Sequence, residues 1–364
     1  MDDLEKKKLA ERNDKIIEYV MSEVESKCKD SVDLIGIGGS FCSGDIYENS
    51  DLDLVIIVND DSAKVLNKCF IIGDVGFDIY TQNWSNFEEM AKYHNPYVTK
   101  LIDLKIVYKN GDEAVERYMS LQQNLNENMR NNALVMLSIR EHFKEVLHSY
   151  REILSAKDIS IGYKRLADMI VGVENILYMA NKSYVSRGVK RIPEEIGSME
   201  ILPEGFMDKY LDITNCTTLE EIREKASAFM DCIEEFLSEN RNDYAEGAPE
   251  SEKEEAEKLE ITVDDLTGTY EEIYSNWRNK IHHAAQINSR YLSFMVMAAC
   301  QKFYDEMLER YNIPAINLIG KYNPDDLDGN AYHFDYALNE WGKLYDRFNK
   351  KIEKVDSVEE LMEK

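Results

Sequence analysis

Apolar residues recur at helical spacing over the first segment, where Leu4, Leu9, Ile16, Ile17, Val20, Met21 and Val24 predict an amphipathic helix. The pattern then changes. Residues 32–38 are short and apolar and run into glycines, as a strand does before a turn. A turn-rich stretch follows from Gly38 to Ser50, and residues 52–58 predict a buried strand rich in β-branched side chains. Residues 69–72 and 75–80 predict two further strands about a turn at Gly73-Asp74. A helix over 87–93 and a strand over 104–108 follow, and the strand ends at the turn signal Asn110-Gly111.

Beyond Gly111 strand signals nearly vanish. Helical patterns cover 132–155, 161–186, 219–239, 270–311 and 332–353. In the second of these, Ile161, Leu166, Met169, Ile170, Val173, Ile176, Leu177 and Ala180 make a wide apolar stripe. Thr218-x-x-Glu221 and Thr269-x-x-Glu272 have the form of helix-starting caps. A polar excursion over about 240–260 carries Gly247, Pro249 and many carboxylates. The expected fold class is α+β. A domain over 1–112 holds a mixed β-sheet with flanking helices, and an all-helical domain follows over 113–364.

Composition narrows the function classes. The 364 residues include 43 basic and 70 acidic side chains, a net charge of −27, which disfavours a polynucleotide partner because phosphate-backbone binding rests on Lys and Arg clusters. The same charge suits a cationic or neutral substrate. The first residues are too charged for a signal peptide, and no run nears the roughly 18 apolar residues of a membrane span. Cysteines at 28, 42, 69, 216, 232 and 300 form no CxxC pair, so reduced and mostly buried thiols in a cytoplasmic protein are expected. On that reading the sequons at Asn83, Asn181 and Asn215 carry no meaning.

The stretch that carries chemistry runs from Gly38 to Asp53. Gly38-Gly39-Ser40 follows a strand and opens a short helix, where glycine lets backbone approach a phosphate and the helix start offers free N–H groups. The Ser40 hydroxyl adds a donor. Ten residues separate Ser40 from Asp51. Asp51 and Asp53 stand at i and i+2 at the head of an apolar strand, so both carboxylates share one face, with Cα atoms roughly 6.5 Å apart. That spacing suits two divalent cations about 3.5–4 Å apart. Leu52 and Leu54 point the other way.

At these residues the chain resembles the polymerase-β-like nucleotidyltransferase superfamily, whose mark is Gly-Ser, nine or ten residues, then Asp-x-Asp on the second strand. The match spans about residues 31–110. The resemblance implies a third carboxylate on a neighbouring strand. Asp78, one acid inside the otherwise apolar 75–80, takes that place, with Asp74 as runner-up. It further implies two Mg²⁺ ions held by Asp51, Asp53 and Asp78, with Gly39 and Ser40 at the phosphates of a nucleoside triphosphate, ATP being the expected one. An acceptor hydroxyl would attack the α-phosphorus and pyrophosphate would leave. Many relatives carry a basic residue where this chain has Ser43, which puts a phosphate contact in doubt.

Residues 168–212 look like the helical domains of kanamycin- and lincosamide-type nucleotidyltransferases. That likeness implies NMP transfer to a small molecule, such as an aminoglycoside-like antibiotic, bound between the two domains. In the kanamycin type a helical-domain glutamate is the general base; Glu141 and Glu145 are the candidates here. The alternatives are AMPylation of a protein, cyclic-nucleotide synthesis, or a catalytically silent binding module. His282-His283, adjacent on a helix, diverge too far to share a metal. Their functional alternative is contact with nucleotide phosphates from across the cleft. The 22 tyrosines read as core and rim packing.

Overall fold

The computed structural model describes residues 3–44, 46–47, 50–239 and 258–362. The first amphipathic stripe forms α1 (Asp3–Lys27), with Ile16, Val20 and Val24 buried. Next come β1 (Val32–Ile37), the single turn α2 (Ser40–Ser43), β2 (Leu54–Val58), β3 (Lys68–Ile72) and β4 (Val75–Asn83). Then α3 (Trp84–Ala91) and the short α4 (Thr99–Ile102) lead to β5 (Lys105–Lys109). Each strand lies where a β-branched or alternating segment was expected. The β3–β4 hairpin turns at Gly73, whose φ of 59° is a backbone state glycine adopts without strain.

The strands form one mixed sheet in the order β5-β1-β2-β4-β3-β6. Here β6 (Lys354–Val355) comes from the far end of the chain and runs parallel to β3, with Ile72 opposite Val355. After it, α16 (Val358–Met362) lies on α1, and Lys15 pairs with Glu359 across that contact. Val355, Val358 and Leu361 join Ile16, Val20, Val24, Phe70 and Phe77 in one core on that face of the sheet. The sequence reading places 113–364 in one all-helical domain; β6 instead joins the sheet, and α16 packs on α1. A two-residue strand has no periodicity to detect.

The other face of the sheet meets the helices. From α5 (Asp112–Arg130) the chain passes through α6 (Asn132–Ser155), α7 (Ile159–Ala180), α8 (Ile192–Gly197), α9 (Phe206–Asp212) and α10 (Leu219–Glu239). After residue 258 come α11 (Val263–Leu266), α12 (Thr269–Ile273), a π-turn (Tyr274–Arg278), α13 (Asn279–Gln286), α14 (Arg290–Arg310) and α15 (Leu327–Arg347). Leu34, Val55 and Ile57 of the sheet share a single core with Phe87, Ile139, Phe143, Phe294 and Trp341, so apolar packing runs unbroken from sheet to helices. Among the described residues no helix is long and apolar enough to cross a membrane. Five cysteines are buried and Cys42 is exposed; all are free thiols.

The helical half departs from the sequence reading in places. Helix α5 was not anticipated. Its buried stripe of Ala114, Tyr118, Leu125 and Met129 is narrow and sits among polar residues, which dilutes the signal. The long pattern over 270–311 is interrupted twice, by the π-turn and by a break after Gln286. At that break Asn288 takes φ 53°, which asparagine tolerates, and the Ser289 hydroxyl accepts from Leu292 N at 3.2 Å to start α14. Most of the polar excursion, residues 240–257, lies outside the described residues.

One buried acid ties three helices together. Glu174 on α7 is 1% exposed, and its Oε1 accepts from the Tyr210 hydroxyl of α9 and the Tyr291 hydroxyl of α14, both at 2.6 Å. Its Oε2 is buried and takes no hydrogen bond among the described residues. Burial pushes this carboxyl up to about 7, against the pull of the two tyrosine hydroxyls.

Candidate active site

The end of β1 and the start of β2 are pinned together. Gly38 N donates to Asp53 O at 2.9 Å. Gly39 then turns with φ 63° and ψ −146°, and Gly44 closes α2 by donating to Ser40 O. A Cβ on Gly39 would lie 1.6 Å from Asp53 Oδ2, so only glycine lets the backbone pass this close to the carboxylate. Replacing Gly39 with alanine forces Asp53 aside and strains the turn. The expected loss of activity is about 100-fold, as for a misplaced catalytic group. The expected loss of stability is only ~1–3 kcal/mol. Turnover and melting temperature measured together check the pair of values.

The turn before Asp51 is held from α1. Arg12 Nη2 donates to Ser50 O at 2.6 Å, and its guanidinium stacks 4.9 Å from the Phe77 ring. Ser50 and Tyr47 exchange two hydrogen bonds of 2.9 Å. Leu52 and Leu54 enter the α1-side core, while Val55 and Ile57 enter the helix-side core. Alternation therefore turns Asp51 and Asp53 toward the helices, as the spacing implied.

On the neighbouring parallel strand Val55 stands opposite Tyr80. Asp53 stands one residue before β2, near enough to Asp78 of β4 that the Asp78 charge acts on its carboxyl. Asp78 Oδ1 accepts from the Ser275 hydroxyl of the π-turn at 2.8 Å. Asp74, the runner-up, sits in the β3–β4 turn, facing Tyr274 at 3.4 Å and Lys354 at 3.6 Å.

Electrostatics mark the acids as a group. Burial, then the charge of Asp53, raises the Asp51 carboxyl above its ordinary range, with Asp78 adding to the push and Lys280 opposing it. Asp53 is raised by burial and by Asp78, against Lys280, Lys100 and Lys190. By surface area Asp53 is exposed, yet protein crowds it closely. The crowding governs its ionisation. Glu272 of α12 reaches the same place. Burial and the Asp78 charge raise its carboxyl, and Tyr80 donates to it at 3.5 Å.

Lysines from three separate elements act on the Asp53 carboxyl: Lys100 of α4, Lys190 before α8 and Lys280 of α13. Lys280 Nζ donates to Asn276 O at 2.6 Å. Lys190 Nζ lies 4.2 Å from the Tyr47 ring, and His283 stacks on Tyr47 with centroids 5.1 Å apart. His282 instead bonds Asp335 at 3.0 Å, so the two histidines do part ways. Glu141 and Glu145 are bonded within α6, to Lys144 at 2.8 Å and His142 at 3.3 Å. The Ser43 side chain lies outside the described residues.

The structure thus presses Gly39 against Asp53 and brings Asp51, Asp53 and Asp78 within electrostatic reach of one another. Among the described residues, however, no three Asp, Glu, His or Cys side chains are close enough together to hold a metal ion as they stand. The donor chemistry still fits magnesium. The acids are hard oxygen donors whose mutual repulsion a divalent cation would relieve. Cys69, the thiol opposite Asp78, is pushed up to about 12 by burial and stays protonated, hence a poor soft ligand. Sequence reasoning passed over Ser275, Glu272, Lys100 and Lys280, which have no spacing signal relative to the acid pair. Compared with known proteins, the chain matches no family model and no curated protein.

Proposed function

We propose that this chain is a magnesium-dependent nucleotidyltransferase that moves NMP, with ATP as the expected donor, onto a hydroxyl of a small molecule. The observation that carries the reading is the Gly38-Gly39 turn pressed against Asp53, with Asp51 and Asp78 near enough for the charges of the three acids to act on one another. Asp51, Asp53 and Asp78 would hold the magnesium, which supplies Lewis-acid neutralisation of phosphate oxygens. The three lysines support a polyphosphate substrate, because their charges all act on Asp53 in a chain of net charge −27.

In this reading the lysines and the start of α2 orient the triphosphate. The acceptor oxygen bonds to the α-phosphorus as the bond from that phosphorus to its bridging oxygen breaks. Pyrophosphate leaves with the electron pair. The hydroxyl proton passes to a carboxylate, and Glu272 is the helical-half acid beside Asp78 whose raised affinity for a proton suits that role. The overall acidity favours a cationic acceptor such as an aminoglycoside. A catalytically silent module is the second reading, favoured by the absence of a closed three-ligand cluster among the described residues.

Pyrophosphate release from each NTP with Mg²⁺, with and without a panel of aminoglycosides and lincosamides, separates the two. Acceptor-dependent release is the expected result. Replacing Lys280 with methionine should weaken NTP binding roughly tenfold, about 1.4 kcal/mol. No NTP binding and no release with any acceptor would leave the silent module.

A further inference from the structure

The stretch from Thr269 to Gln286 would make one unbroken helix, yet Tyr274–Arg278 winds as a π-turn. Such turns are rare and are found frequently at functional sites, because the extra residue redirects the side chains around it. Here the redirection has a target. The Ser275 backbone sits against β4 so closely that a Cβ on Gly76 would lie 2.6 Å from it. Asn279 Nδ2 donates to Asp74 O at 3.1 Å, fastening the same segment to the β3–β4 turn. Arg278 binds Tyr274 at 3.2 Å and Asp335 of α15 at 3.1 Å, fastening it to the helices. Held from both sides, Ser275 is 6% exposed and its hydroxyl donates to Asp78 Oδ1.

We infer that Ser275 is a positioning residue for Asp78. Its hydroxyl commits one carboxylate oxygen and so sets the orientation in which Asp78 joins Asp51 and Asp53 in binding a divalent cation. The helical half thereby completes the cation site that the sheet begins. This inference rests on the function proposed above, in that it takes the three aspartates as ligands. A hydroxyl aligned through a packed π-turn suits the task because a carboxylate on an open strand otherwise rotates freely about its terminal bond.

The test uses the full chain and Mn²⁺ alone, with binding read by electron paramagnetic resonance and no turnover involved. A double variant, Asp51→Asn with Asp53→Asn, measures Mn²⁺ on scattered surface carboxylates. Wild type should bind Mn²⁺ more tightly than this double variant. Ser275→Ala should weaken the site about tenfold, and Ser275→Thr, which keeps the hydroxyl, should restore it. Ser275→Cys keeps the volume with a weaker donor and serves if the alanine variant does not fold; it too should weaken binding. Equal Mn²⁺ affinity in wild type and the alanine or cysteine variant would overturn the positioning role and leave the proposed function standing. Binding by wild type no tighter than the double variant would overturn both.

Discussion

Asp53→Asn is expected to silence nucleotidyl transfer and to raise the melting temperature of the same protein. The carboxylate lies where burial and the Asp78 charge disfavour its ionised form. Asparagine keeps the shape that fits beside Gly39 and removes the charge. Activity should fall by at least ~10³-fold, the scale of losing one preorganised electrostatic group. The stabilisation follows from removing a charge that burial penalises in the folded state. The sign with pH follows from the raised carboxyl. Its penalty on the folded state is present above the unfolded value and disappears below about pH 4, where both states are protonated. Paired turnover and thermal melts at pH 7 and pH 4 read all three. A variant that keeps turnover, or melts lower than wild type at pH 7, would sink the site as described.

The larger stability effect belongs to Glu174. Its folded value of about 7 stands above the ordinary 4.5. As pH rises through 4.5 the unfolded chain loses this proton while the folded chain keeps it, so stability falls until about pH 7 and is flat beyond. At pH 8 the difference amounts to about 3 kcal/mol, each pKa unit contributing about 1.4 kcal/mol. Glu174→Gln is neutral at all pH, and its carbonyl oxygen can still accept from Tyr210 and Tyr291. The variant should therefore exceed wild type by about 3 kcal/mol at pH 8 and match it near pH 4. Denaturant melts at the two pH values measure the gap. A gap independent of pH would show that folding leaves the Glu174 carboxyl at its ordinary value.

How far the site could be read beforehand depended on where its parts lie along the chain. The acid pair was legible because two carboxylates on one face of a strand must stand two residues apart, and Leu52 and Leu54 between and after them had to face a core. Asp78 was legible as a lone acid among apolar residues. Nothing local announces Lys100, Lys190 or Lys280, which come from three elements and whose charges reach Asp53 only when the chain is folded. Ser275 was hidden in another way. An unbroken helical pattern points its side chain by a 3.6-residue period, and the π-turn breaks that period without a distinctive residue. In the fold, β1 to β5 were legible from alternation and turn residues, whereas the break before α14 depended on recognising Asn288-Ser289 as a stop followed by a start.

The pairing of β6 with β3 has a consequence for how this protein comes into being. Until residue 355 has left the ribosome, β3 is a bare edge with unmatched N–H and C=O groups, and the apolar side of α1 lacks part of its cover. Asp51, Asp53 and Asp78 are thus translated early but seated late. An excised 1–112 fragment would inherit that bare margin and tend to self-associate rather than behave as a miniature of the whole.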